Sequence, residues 1–180
     1  MLQFTESDYK KAASFLQVDE PTYTPQKNIL SYSYSKISTT HDKGKVGEHL
    51  LCNKLRSEYG LDAVQVGGCG RPDIEIRLSN GSVKRAECKT SMLNSNGKYK
   101  FYKVNPNNFD MLFFCYVHPT KFMIVQTIKK ADFLAWTEIG GRGGKPAKRN
   151  EYGYNIEMSQ DFTNDKGLDG NIWSEGGWTS

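Results

Sequence analysis

The sequence predicts an α/β protein, with a central mixed β-sheet flanked by helices. Three observations lead there. In the middle of the 180-residue chain, Asp73–Leu78 and Arg85–Lys89 alternate charged with apolar residues. That period of two marks half-buried strands. Ahead of them, residues 40–59 carry apolar side chains at helical spacing. Behind them, MLFFCYVHPTKFMIVQTI reads as two strongly apolar strands turning at Pro119. With 37% hydrophobic and 24% charged residues, the chain has globular composition and enough length to bury one core. A single domain is expected, with its core at about 40–137, an N-terminal helix and arm over 1–39 and a C-terminal extension over 138–180.

Taken in order, TESDYKKAASFLQ (5–17) reads as a first helix capped by Thr5 or Ser7. A proline-containing link leads to ILSYSYSKIS, where Leu30, Tyr32 and Tyr34 alternate with serines as in a strand or extended arm. THDKGKVGEHLLCNKLRSEY (40–59) is a helix that Gly60 stops. AVQVG (63–67) is a short strand running into the glycine-rich turn GGCGRPD. The charged hairpin follows, then MLNSNGKYKFYKV, read as an exposed basic segment. After the two apolar strands, KKADFLAW is a short helix. From Gly140 onward the text is loop-like: first GGRGGKPAKRN, then mixed polar sequence with a frayed tail.

Several function classes drop out. No stretch approaches the roughly 18 apolar residues of a membrane span, and Met1 does not open a secretory signal. Cys52, Cys69, Cys88 and Cys115 form no C-x-x-C pair, so reduced thiols in a cytoplasmic protein are the better reading than zinc. No serine lies in a G-x-S-x-G elbow, and His41, His49 and His118 have no evident nucleophile to serve. A net charge of +4 permits a polyanionic partner without requiring one.

The charged face of the hairpin carries the functional question. A wet strand face shows the same alternation. Against that reading, the hairpin lies between apolar strands, and Asp73 follows Pro72 and a glycine turn where backbone can approach a phosphate. On the preceding helix, Glu48 shares a stripe with Gly44, Leu51 and Leu55. It either pairs with a nearby lysine or backbone donor, or aims at the same cavity as Asp73 and Glu87. Three converging carboxylates repel unless a cation sits between them, and oxygen donors select Mg²⁺, with Mn²⁺ as substitute. Lys89, on the same face as Glu87, is placed to hold a water or steady charge on a phosphoryl group. Together these groups suit metal-assisted hydrolysis of a phosphodiester.

Such a site demands one register. A two-residue turn at Asn80-Gly81 pairs Asp73 with Cys88 and sends Asp73 and Glu87 to opposite faces. A three-residue loop, Ser79-Asn80-Gly81, pairs Leu78 with Ser82 and Asp73 with Glu87. It also puts Gly81 at the left-handed position and groups Leu78 with Ile74, Ile76, Ala86 and Cys88 on the apolar side. That loop, or a bulge of the same parity, is the expectation.

Pro72-Asp73, thirteen residues, then Glu87-Cys88-Lys89 resembles the PD-(D/E)xK signature of restriction-endonuclease-like nucleases. KGKVGEHLLCNKL followed by GLDAVQVGGCGRPDIEI also looks like the core entry of archaeal Holliday junction resolvases, with Glu48 at the helix glutamate of that family. The resemblance covers roughly residues 43–137. It implies a Mg²⁺-dependent DNA endonuclease. Asp73, Glu87 and Glu48 would be metal ligands, the Cys88 carbonyl a further one, and Lys89 the catalytic cation. A site-specific restriction-like or homing-type enzyme is the first expectation, a junction resolvase the second, and a silent DNA-binding module of the same fold a third. Arg71, Lys43 and Lys45 are expected to meet DNA. So are Arg142, Lys145, Lys148 and Arg149 of the glycine-rich loop, with Lys98, Lys100 and Lys103 as a weaker patch. A double-strand break needs two such sites, so a homodimer or larger homo-oligomer is expected.

Overall fold

The computed structural model describes residues 2–3, 39–68, 71–117, 124–139, 147–148 and 153–159. The expected first helix (5–17) and the tyrosine-serine arm lie outside these, as do Cys69, His118, Pro119 and the tail. The elements are β1 (Leu2–Gln3), α1 (Thr40–Ser57), β2 (Asp62–Gln65), β3 (Ile74–Arg77), β4 (Val83–Met92) and β5 (Lys98–Val104). There follow β6 (Met111–Val117), β7 (Ile124–Lys129), α2 (Lys130–Ile139), β8 (Ala147–Lys148) and β9 (Tyr154–Ser159). No described helix is long and apolar enough to cross a membrane.

Six strands form the central sheet in the order β1-β7-β6-β4-β3-β2. The β4–β6 pairing is parallel and the others antiparallel, so the sheet is mixed, as expected. The charged hairpin is central rather than peripheral, because β4 lies between β3 and β6.

Thr39 caps α1: its hydroxyl accepts from the Asp42 N–H at 3.0 Å. At the other end Gly60 has φ 66°, and Leu61 N donates back to Leu55 O. The helix buries Val46, Leu50, Leu51 and Leu55 against Ala63, Ile74, Ile76, Leu78, Ala86, Cys88, Phe113 and Cys115. At Gly47 the approach to the sheet is closest. A Cβ there would lie 2.0 Å from Thr90 Oγ1, so no other residue allows this spacing without movement.

The opposite face of the sheet has its own core. Leu112, Phe114 and Tyr116 of β6 pack on Tyr99, Phe101, Ile156 and Met158, and on Phe133 and Trp136 of α2. The aromatic rings meet edge-on, as Tyr99 and Tyr116 do at 4.9 Å. Because β6 is covered on both faces, MLFFCYV is apolar throughout instead of alternating.

Two expectations give way here. Residues 98–104 are not an exposed basic segment but β5, with Tyr99, Phe101 and Val104 buried. Two of its three exposed lysines are paired: Lys98 Nζ lies 2.5 Å and Lys100 Nζ 3.4 Å from Glu157. The C-terminal part is not all loop either. A three-stranded sheet, β5-β9-β8, pairs Phe101 with Ile156 and Lys148 with Tyr154. The driving force is burial of Tyr99, Phe101, Ile156 and Met158 over β6.

Candidate active site

The hairpin adopts the three-residue loop. Leu78 N donates to Ser82 O and Gly81 N to Leu78 O, each at 2.9 Å, while Gly81 takes φ 80°. Asn80 Oδ1 tightens the loop by accepting from Ser82 N at 2.9 Å. The register then runs Arg77 to Val83, Ile76 to Lys84, Glu75 to Arg85 and Ile74 to Ala86. One further step places Asp73 opposite Glu87, on a shared face. Ile74, Ile76, Leu78, Ala86 and Cys88 are buried on the other.

The ladder ends at Asp73 for a stereochemical reason. Hydrogen-bonded pairs alternate from Leu78/Ser82 through Ile74/Ala86, so the next is Pro72/Cys88. Pro72 has no N–H to give. The Cys88 N–H turns to the Asp73 carboxylate, reaching Oδ2 at 2.8 Å. Across the other edge, Val66 N donates to Asp73 O at 2.9 Å and ties the backbone to β2. The Cys88 carbonyl leaves β4 on the same side as its N–H, toward this opening.

On β4, Glu87 is 4% exposed. Lys89 Nζ lies 2.6 Å from Glu87 Oε1, while Glu87 Oε2 is buried without a hydrogen-bond partner among the described residues. Burial, then the charge of Glu87, then that of Glu48 push the Asp73 carboxyl from 3.8 up to about 7. Lys89 and the Cys88 N–H only partly oppose this. Burial favours the neutral amine of Lys89, but the Glu87 carboxylate outweighs it and holds the ammonium above its usual range.

Glu48 stands differently from expectation. Leu51 and Leu55 of its stripe are buried, yet Glu48 is half-buried at the margin. Parallel pairing places Glu87 and Lys89 beside Leu112 and Phe114, on the face away from α1. Glu48 therefore approaches Asp73 around the end of the sheet. Its pairing partner is not a lysine but an amide: Gln65 Nε2 donates to Glu48 Oε2 at 3.1 Å. Gln65 is not among the residues singled out by sequence. The available signal was the alternation of Ala63 and Gln65, which sets a polar amide on the α1 side of an otherwise apolar strand face.

The remaining charges of the hairpin divide by role. Arg85 forks onto Asp110, with Nη2 at 3.1 Å from Oδ1 and its backbone N at 2.9 Å from Oδ2. That end of the face is structural. Arg71 is exposed two residues before Asp73, and Lys43 and Lys45 stand on the first turns of α1. Lys148 lies in β8, in the second sheet. Arg142, Lys145 and Arg149 fall outside the described residues.

Among the described residues no group of three or more His, Cys, Asp and Glu side chains is gathered for a metal ion. The donor set is instead two carboxylates, Asp73 and Glu87, with a backbone carbonyl beside them and Glu48 held at the margin by Gln65. It fits a hard cation in two respects. The partnerless Glu87 Oε2 and the raised Asp73 carboxyl are both relieved by positive charge in the opening.

No protein-family model and no curated protein matches the chain. Among solved structures, that of a bacterial homing endonuclease aligns with 68% of this chain and 77% of its own. The TM-score is 0.43 and the identity 14%. At that depth the alignment assigns no function, which rests on the residues of the site.

Proposed function

We propose that the protein is a Mg²⁺-dependent DNA endonuclease, site-specific and acting as a homodimer or larger homo-oligomer. One observation carries the reading. Asp73 and Glu87 lie on one face of a central hairpin that stops pairing beside them, with Lys89 Nζ 2.6 Å from Glu87 and the second Glu87 oxygen buried and partnerless among the described residues. A purely structural ion pair has no need of that orphaned oxygen, whose burial costs about 1–3 kcal/mol or more for a charged group.

Asp73, Glu87 and the Cys88 carbonyl would hold the cation, which when bound supplies polarisation of a phosphoryl oxygen and acidification of a water. Positive charge in the opening would favour the ionised form of Asp73. Lys89 would offer its ammonium to the water or to the phosphate oxygens that gain charge as the diester bond breaks. Arg71, Lys43 and Lys45 supply phosphate contacts that position the strand without reading its sequence.

The test is incubation with Mg²⁺ on supercoiled plasmid, on linear duplexes of varied sequence and on a four-way junction. Discrete bands from plasmid or duplex, absent for Lys89→Ala, are the expected result. Cutting of the junction alone points to a resolvase. Failure on every substrate, with DNA binding retained, leaves a silent DNA-binding module.

A further inference from the structure

We infer that Gln65 is a positioning residue of this site, acting through Glu48 to set how tightly a divalent cation is held; this rests on the nuclease reading above. Gln65 is the last residue of β2 and pairs with Ile74, the neighbour of Asp73. The next residue, Val66, donates its N–H to Asp73 O at 2.9 Å, so the end of β2 supports the backbone of the acid. The Gln65 side chain supports another acid: Nε2 donates to Glu48 Oε2 at 3.1 Å.

The geometry on the other side of Glu48 makes this contact decisive. Gly47 brings α1 to within side-chain exclusion of Thr90 on β4, the strand of Glu87 and Lys89. The backbone at Glu48 is thus pinned to the sheet, and only rotation of its long side chain is left to choose. Gln65 removes that choice by fixing Oε2. Oε1 lies over Gly44, 3.9 Å from where a Cβ there would stand, and it is the oxygen left to meet a cation-bound water or the cation itself. Asp73 already feels the Glu48 charge. A partner that orients a metal-binding carboxylate from behind costs about 10–100-fold in affinity when removed.

The test is Mn²⁺ binding to the full chain without DNA, followed by electron paramagnetic resonance, for wild type, Gln65→Met, Gln65→Asn, Glu48→Gln and the Glu48→Gln/Gln65→Met double variant. Gln65→Met has no amide and Gln65→Asn holds one a methylene too short. Both should weaken Mn²⁺ by about tenfold and raise the Mg²⁺ needed for half-maximal cleavage. Their cleavage rate at saturating Mg²⁺ should stay near wild type. The double variant should bind no more weakly than Glu48→Gln alone, which a general loosening of β2 would not produce. Unchanged binding in both Gln65 variants, or additive losses in the double, overturns the assignment while the nuclease reading stands. Wild-type protein that takes up no Mn²⁺ overturns both.

Discussion

Replacing Asp73 with asparagine should stabilise the metal-free protein at neutral pH and do nothing for it in acid. In the folded chain the carboxyl titrates at about 7 instead of 3.8, chiefly from burial and then from Glu87 and Glu48. Between those two values the folded state holds a proton that the unfolded state has released. Stability therefore falls as pH rises through this window and levels off above it. At about 1.4 kcal/mol per pH unit, the separation corresponds to about 4 kcal/mol lost between acid and neutral pH. The asparagine keeps an oxygen for the Cys88 N–H but carries no charge, so the Asp73→Asn variant lacks this slope. Urea unfolding in chelator at pH 4, 5.5, 7 and 8.5 measures the difference. The two proteins should agree at pH 4 and diverge by about 4 kcal/mol at pH 8.5, with the variant more stable. Added Mg²⁺ should close the gap by stabilising wild type alone. A variant less stable than wild type at pH 8.5 in chelator refutes the crowded-acid picture of the site.

Lys89→Met should destabilise the apo protein by about 2 kcal/mol, because it strands the Glu87 charge in a nearly dry position; Glu87→Gln in the same chain should restore most of it on denaturant curves. Gly47→Ala should cost about 1–3 kcal/mol by forcing α1 off Thr90, and Thr90→Ala should recover part of that in a double-mutant cycle. Neutralising Arg142, Lys145, Lys148 and Arg149 together should weaken DNA binding and flatten its salt dependence by about 0.9 for each phosphate no longer neutralised. An unchanged slope in a filter-binding titration makes the segment a solvated loop.

The hairpin was legible because everything that sets it is local. Asn80, Gly81 and the alternation on either side decide loop length, and loop length decides which face each acid occupies. The helix over residues 40–57 was legible for the same reason, from its cap and spacing. The second sheet was not, although Tyr99, Phe101, Ile156 and Met158 do alternate with polar residues. Lysines and glycines around them suggest solvent, and the surface they cover, β6, belongs to a different part of the chain. Gln65 was hidden because no pattern within AVQVG tells which helix passes over it. Glu48 could be placed on a helix face from sequence, but that the face stops short of the acids follows only from how β4 pairs in parallel with β6.

Sequence separation predicts that the site assembles in two stages that the chain keeps apart. Asp73 and Glu87 meet through a loop of three residues, a closure of the kind that takes microseconds. Lys89 gains its cover only when β4 aligns in parallel with β6, across a crossover that contains all of β5. Non-local pairing of that kind is slow. The two acids should thus come together while water still separates their charges, with the low-dielectric walls arriving afterwards. Folding that began from the β4–β6 pair would have to drive two carboxylates together in an already dry slot. Substitutions in the Ser79–Gly81 loop should accordingly slow folding, while those at Leu112 should chiefly speed unfolding, a partition that stopped-flow chevrons resolve.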